Sequence, residues 1–219
     1  MKKILVLSSV FLFLSFGLKA QNKVLLEGFS VIYGVNVNTP GMNEAIKSMM
    51  PKEMVITYKG DMVRTEMVTP MTTSITIIDT KKNEGTTLME MFGNKIAMDL
   101  TDQLKSGQDI KASNVDIEIT QETKMIAGYK CTKAITRVKD SAEPIVVYFT
   151  EELPMVKNQL TSSFSGINGC LLEFSTNQGG MALKMTAKTV SFGDISDNKF
   201  IVPEGYQKMD AKDLQNMFK

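Results

Sequence analysis

The sequence predicts a mainly β protein of the α+β class, in which a single curved antiparallel sheet closes over two or three helices. Three segments each separate apolar from polar side chains about a two-residue turn, as half-buried hairpins do. Further runs rich in Val, Ile and Thr lie between turn residues. No Pro/Gly-rich linker or fixed-period repeat divides the 219 residues. We therefore expect a single domain over residues 21–219.

Residues 1–20 have the pattern of a cleaved export signal. Lys2 and Lys3 precede an apolar run over residues 4–18, and the small residue Ala20 suits cleavage. The alternative is a membrane anchor, but a run of 15 residues is short for a bilayer span. We expect a mature chain that is soluble and periplasmic, with secretion as the alternative location.

The stretch YKGDMVRTEMV predicts the first hairpin, with Gly60–Asp61 as its turn, because glycine at the first central position suits a type II′ turn. This pairing places Tyr58 opposite Val63 and Arg64 on the polar face. The predicted apolar face comprises Met54, Ile56, Tyr58, Val63, Thr65 and Met67. The predicted polar face comprises Val55, Thr57, Lys59, Met62, Arg64 and Glu66.

The stretch LMEMFGNKIAMDL predicts a second hairpin about Gly93–Asn94, which pairs Met91 with Ile96 and Met89 with Met98. One face then comprises Thr87, Met89, Met91, Ile96, Met98 and Leu100, and the opposite face is mixed.

A third hairpin is predicted about Gly179–Gly180, with Phe174 opposite Met185. Its apolar face comprises Cys170, Leu172, Phe174, Thr176, Leu183, Met185 and Ala187. Its polar face comprises Glu173, Ser175, Lys184, Thr186 and Lys188.

Other segments complete the predicted fold. Further strands are expected at 24–37, 73–79, 115–119, 125–138 and 145–150. An amphipathic helix is expected between Thr39 as N-cap and Pro51, with apolar residues at helical spacing. A weaker helix is predicted at 153–164 and a short one in the tail, 209–219.

Five stretches together resemble a known group: YKGDMVRTEM, KMIAGYKCTKAI, VVYFTEELP, GINGCLLEFSTNQGG and FIVPEGYQKM. They are similar to Bacteroidota-type proteins with a domain of unknown function and a LolA/LolB-like fold. The resemblance covers nearly the whole mature chain. It implies an unclosed half-barrel with helices plugging or flanking an apolar cavity, as in the carriers of outer-membrane lipoproteins. Lipid or lipoprotein acyl chains are the partners that it implies.

The methionine-rich face is the candidate binding site, because methionine is flexible and suits surfaces that accept varied apolar partners. The predicted lining is Met54, Ile56, Tyr58, Met67, Met89, Met91, Met98, Leu172, Phe174, Leu183 and Met185. Two alternatives remain: a filled core in a structural or protein-interaction module, and a Cu(I) site at MEM (89–91) and MALKM (181–185). Interleaved Leu and Ile disfavour the copper site, so no metal and no cofactor are expected.

Cys131 and Cys170 are the only two cysteines, and either a disulfide or two buried thiols fits them. The chain has no histidine, which excludes His-based catalytic triads and imidazole metal sites. Neighbouring acids such as Glu151 and Glu152 are typical of solvated surfaces, and no nucleotide-binding or nucleophile motif occurs. No basic face stands out, which argues against nucleic acid as a partner. The sequence predicts a protein that is not an enzyme.

Overall fold

The computed structural model describes residues 28–37, 41–106, 115–138, 143–154, 161, 164, 166–178 and 181–210. The predicted export signal lies outside these residues, as do most of the predicted helix at 153–164 and the tail 211–219. The expected cleavage after Ala20 therefore stays a prediction.

The described residues form one large, mostly antiparallel sheet, which confirms the predicted mainly β half-barrel. Its strands are β1 (Phe29–Val37), β2 (Glu53–Lys59), β3 (Met62–Val68), β4 (Thr72–Asp79), β5 (Glu84–Met91), β6 (Asn94–Asp99), β7 (Val115–Ile126), β8 (Tyr129–Val138), β9 (Ile145–Thr150), β10 (Cys170–Gln178), β11 (Met181–Phe192) and β12 (Gln207–Lys208). Their order across the sheet is β12-β6-β5-β4-β3-β2-β1-β11-β10-β9-β8-β7. Only β12 pairs in parallel, with β6, among the pairings described.

Two predicted hairpin registers are confirmed. In β2–β3, Tyr58 lies opposite Val63, and Gly60 has the positive φ of 58° that the first position of the predicted turn requires. In β10–β11, Phe174 lies opposite Met185. The apolar sets assigned to these hairpins therefore share one face of the sheet, which we call the inner face.

The predicted register of β5–β6 was wrong. The turn is Phe92–Gly93 rather than Gly93–Asn94, so Met89 lies opposite Ile96, and Met91 lies opposite Asn94. The observed register places Glu90 opposite Lys95, with a carboxylate–ammonium distance of 3.5 Å, and Leu88 opposite Ala97. Cross-strand pairs of opposite charge and pairs of apolar side chains stabilise a ladder. The slip of two residues leaves the predicted apolar set on the inner face.

The predicted strand over 125–138 is also corrected. Ala127 and Gly128 have φ of 50° and 87°, and they form a turn that splits the segment between β7 and β8. β7 consequently extends to Ile126, well beyond the predicted end at residue 119. A tight turn with two positive φ values reverses the chain within an otherwise apolar run.

The first predicted helix is shorter than expected, and its predicted N-cap, Thr39, lies outside the described residues. Helix α1 spans Glu44–Ser48 and is capped by Asn43, whose side chain accepts a hydrogen bond from the Ala45 amide at 2.8 Å. The apolar side chains expected to pack beneath it do not all do so, because Ile46 is 48% exposed. Helix α2, Thr101–Ser106, was not predicted, and a 3-10 helix spans Asp197–Phe200. No helix among the described residues has the length and apolarity needed to cross a membrane.

Apolar side chains are buried on both faces of the sheet. The larger cluster lies on the inner face of β1–β3, β10 and β11 and includes Leu153, Phe164 and Ile167 from the segment between β9 and β10. A smaller cluster of Ile77, Leu88 and Ala97 lies on the outer face. Residues 193–210, which we call the C-terminal strap, cover this second cluster with two aromatic side chains.

Polar contacts hold the strap in place. The Tyr206 hydroxyl donates a hydrogen bond to the Glu90 carboxylate at 2.5 Å. Arg64, predicted to lie on the polar face, donates to the Lys199 carbonyl at 3.1 Å. Lys59 donates to the Ile195 carbonyl at 2.5 Å. The strap therefore closes the outer face over β2–β6.

Candidate functional site

The predicted lining divides into a filled part and a partly open part. Six of its residues are buried in the inner cluster, and two more pack against that cluster while remaining half-buried. The buried six are Met54, Ile56, Leu172, Phe174, Leu183 and Met185, and the other two are Tyr58 and Met67. Around β1, β2, β10 and β11 the inner face is thus occupied by the protein's own side chains.

The remaining predicted residues lie on the arm of the sheet formed by β3–β6. Met89, Met91 and Met98 are half-buried and do not belong to the buried inner cluster. Small polar residues flank them, since Ser74 lies opposite Met89 and Thr87 lies opposite Met98. The inner face of this arm therefore presents thioether side chains that are in part accessible.

A groove lies on the outer face, between α1 and the strands β2 and β3. It has a volume of about 710 Å³ and is lined by Ser48, Met50, Lys52, Glu53, Val55, Glu66, Val68, Thr69, Pro70 and Lys188. A second groove of about 500 Å³ shares Val55 and Glu66 with the first and runs beneath the strap to Arg64 and Lys199. Strand alternation placed these strand residues only on a solvated face. It did not predict the two grooves, because α1 and the β3–β4 turn wall the first groove and the strap walls the second.

Apart from Lys52, the described charged side chains in the first groove are paired. The Lys188 ammonium lies 2.9 Å from the Glu53 carboxylate, and the Arg64 guanidinium lies 2.7 Å from Glu66. The groove therefore carries little net charge and combines ion pairs with apolar side chains, among them Met50, Val55 and Val68, which suits a protein partner better than an isolated anion or cation.

Glu173 forms the centre of a buried ionic cluster. Its carboxylate lies 2.9 Å from the Lys124 ammonium and 3.1 Å from that of Lys184, and it accepts a hydrogen bond from Thr186 at 3.2 Å. Burial alone would raise the pKa of this carboxyl, but the hydrogen bonds from both lysines outweigh burial and hold the pKa below 4.5. The Lys124 ammonium also lies 3.9 Å from the Tyr148 ring centroid. The cluster ties β7, β9, β10 and β11 together.

We expect Glu173→Gln to lower the free energy of unfolding by about 1–2 kcal/mol near neutral pH, since two charge-assisted hydrogen bonds are weakened. A depressed pKa gives stability that is present above the unfolded-state value and is lost as the pH falls through the folded-state value. The deficit of the variant should therefore shrink in acid, as measured by denaturant midpoints across pH. Glu53→Gln is the control, because its half-exposed pair with Lys188 should contribute little. Equal effects of the two substitutions would contradict the assignment.

Cys131 and Cys170 are both buried and carry free thiols. Burial raises the pKa of Cys131 to about 11 and that of Cys170 to about 12. The neighbouring Tyr33 hydroxyl donates a hydrogen bond to the Leu171 carbonyl at 2.7 Å, and burial raises the pKa of this phenol. Both cysteines belong to the inner cluster, where they fill space as small apolar side chains.

Two thiols should be titratable after denaturation without reductant, and none should react in the native protein near neutral pH. The reason is that the thiolate is the reactive form, and burial suppresses it at both positions. Parallel samples denatured with reductant supply the total thiol count. A denatured sample that shows free thiols only after reduction would demonstrate a disulfide instead.

The described acidic and thiol side chains do not form a metal site. The described residues contain no group of three or more His, Cys, Asp and Glu side chains that could hold a metal ion. The copper alternative would therefore depend on thioethers alone.

Comparison with known proteins places the chain in a family. Residues 44–211 match the family model described as N-glycanase peptide, N-terminal domain. The fold is similar to that of PNGF-II in a P21 crystal form, with a TM-score of 0.51 and 16% identity over 87% of this chain. This chain covers 33% of the PNGF-II chain, about a third of its length. A search of curated proteins gave no match.

Two other solved structures match more distantly. MucB in complex with MucA(peri) has a TM-score of 0.38 and 12% identity, covering 85% of this chain and 58% of that one. A β-barrel-like protein of DUF1849 from Brucella abortus has a TM-score of 0.39 and 10% identity, covering 77% of this chain and 99% of that one. These scores are too low to define a shared fold.

Proposed function

Because the chain belongs to the family described as N-glycanase peptide, N-terminal domain, we propose that it is a non-catalytic binding domain of an exported protein. The family match concerns an N-terminal domain, and the chain covers about a third of PNGF-II. The proposed ligand is an extended apolar chain, such as the acyl chain of a lipid or lipoprotein. Its site is the inner face of the β3–β6 arm.

The uneven packing of the inner face is the observation that carries this proposal. Met54 and Met185 are fully enclosed by the inner cluster, whereas Met89, Met91 and Met98 are not. A face with accessible apolar side chains on one arm can take up an apolar ligand without unfolding the core. Thioethers suit that role because they adapt their shape and are polarizable.

A LolA/LolB-like carrier activity is the finer form of the proposal. In that form the inner face would transfer acyl chains between partners in the periplasm, and the segment between β9 and β10 would flank the site. The support is the order of the five sequence stretches together with the half-barrel architecture.

A protein-interaction module is the second candidate function, and the outer groove favours it. This groove is open, about 710 Å³ in volume and lined by both ion pairs and apolar side chains, a mixture that is typical of protein contact surfaces. In PNGF-II, a matching domain occupies about a third of a longer chain. In this alternative the groove would contact a further domain or a partner protein.

Native mass spectrometry of the protein purified from its export compartment without detergent tests the proposal. We expect an added mass that matches a lipid or fatty acid. After delipidation in organic solvent and refolding, the same protein should lose the added mass and should bind an apolar fluorescent probe that added fatty acid displaces. No added mass and no probe binding would favour the interaction module.

A further inference from the structure

Five large apolar side chains are exposed at one end of the sheet, and we call them the apolar rim. They are Ile46, Met49, Val68, Met71 and Phe92. Ile46 lies in helix α1, and Met49 lies at its C-cap. Val68 ends β3, Met71 lies in the β3–β4 turn, and Phe92 lies in the β5–β6 turn. All three connections leave the sheet at the end where β3 and β5 finish. Apolar side chains from separate segments therefore converge on one end of the molecule.

The surfaces between these segments are continuous. The larger outer groove joins α1 to the β3–β4 turn, because Ser48, Met50 and Pro70 all line it. A neighbouring depression of about 270 Å³ joins that turn to the β5–β6 turn through Met71 and Phe92. Shared grooves therefore link the rim residues at one end of the molecule, and apolar side chains grouped on a surface mark interaction sites.

Phe92 occupies its position at a conformational cost. Its φ is 51°, a left-handed value that is rare for a bulky residue, and its side chain is 70% exposed. Asn or Gly is the usual residue at this position of a two-residue turn. Because the described residues leave most of the phenyl ring exposed, packing against them does not explain the strain.

The charges around the rim suit a phospholipid surface. Each of its glutamates lies close to a basic group, with distances of 2.7 Å for Glu44–Lys47, 2.9 Å for Glu53–Lys188, 2.7 Å for Glu66–Arg64 and 3.5 Å for Glu90–Lys95. Lys52 is exposed and, among the charged side chains described here, has no acidic group within 4.0 Å. Among the described side chains around the rim, the glutamates are thus paired and Lys52 is not, which complements anionic headgroups.

We propose that the apolar rim docks this domain on a lipid bilayer, with Phe92 and Met71 inserted at the headgroup–acyl boundary. Separate apolar tips beside lysines fit a bilayer, which accepts them without matching their shape, as interfacial anchors do. The role of this docking rests on the proposed function. The rim adjoins the proposed ligand site, since Met91 on the inner face directly precedes Phe92 in the chain. A docked rim would bring the proposed ligand site to the membrane that holds acyl chains.

Flotation with vesicles of phosphatidylcholine and phosphatidylglycerol tests the docking. The double variant Phe92→Asn with Met71→Ser should reduce the bound fraction by about tenfold or more, because two apolar anchors are lost. Asn at position 92 suits the left-handed turn, so the variant should be at least as stable as the parent in its denaturant midpoint. Met125→Gln is the matched control, since Met125 is 66% exposed beside the β7–β8 turn and should leave binding unchanged.

Each outcome of the flotation decides the proposal. Parent protein that stays with the aqueous phase, or a double variant that floats like the parent, overturns it. Self-association that depends on Phe92, seen by light scattering without vesicles, would assign the rim to a second copy of the chain and also overturn it. Probe binding to the inner face is measured separately in vesicle-free buffer. A negative flotation result therefore leaves the ligand site intact, and a negative probe result leaves the docking proposal intact.

Discussion

Phe174→Ala is expected to lower the free energy of unfolding by about 3–5 kcal/mol, because it leaves a large cavity in the inner cluster. The Phe174 ring is fully buried and meets Tyr33 edge-on, with 5.7 Å between ring centroids. On its other side it contacts Phe164, at 6.1 Å between centroids. These edge-to-face pairs add to the loss beyond the buried area. Denaturant unfolding monitored by circular dichroism measures the change.

Phe92→Ala is the matched control for Phe174→Ala, because it removes the same atoms from an exposed turn. Phe92→Ala should change the free energy of unfolding by no more than about 0.5 kcal/mol. A loss below about 1 kcal/mol for Phe174→Ala would contradict the packing of Phe164 on the sheet, since the cavity cost is small only where the site is open. The same result would extend the open part of the inner face towards β10.

Sequence patterns predicted the sheet because each hairpin constrains its own register. In β2–β3, glycine occupies the turn, and in both β2–β3 and β10–β11 a one-residue slip would move charges to the inner face. In β5–β6 both faces carry apolar side chains, so alternation did not distinguish Gly93–Asn94 from Phe92–Gly93. The strap favours the observed register, because Leu88 and Ala97 form an apolar pair beneath it. Phe200 and Tyr206 of the strap lie more than one hundred positions from Leu88 and Ala97 in sequence, so local sequence patterns do not reveal their contact.

The candidate sites were predictable to different degrees. The methionine-bearing face follows from strand alternation alone, and Met89, Met91 and Met98 lie on it even though the register shifted. The apolar rim was missed, since the stripe on α1 was interpreted as a face that packs on the sheet. Helical spacing shows that a stripe exists but not whether anything covers it. Phe92 was likewise assigned to a strand rather than to the turn.

The substitutions Met185→Ala and Met91→Ala should have very different costs. Met185 is buried in the inner cluster, so its truncation should lower the free energy of unfolding by about 2–5 kcal/mol. Met91 is half-buried at the edge of the β3–β6 arm, and its truncation removes fewer contacts. We expect a loss below about 1 kcal/mol for Met91→Ala. Paired denaturant titrations give both values.

Probe binding then separates a ligand site from a filled core. An apolar fluorescent probe should bind the parent and the Met185→Ala protein alike under native conditions, and it should bind Met91→Ala more weakly. Met91→Trp should be tolerated on an open arm, whereas overpacking a full core would cost about 1–3 kcal/mol. Large losses for both Met91 variants with no probe binding to the parent would mean that side chains fill the whole inner face. The outer groove would then be the surface through which the domain acts, because it combines an open volume of about 710 Å³ with paired charges.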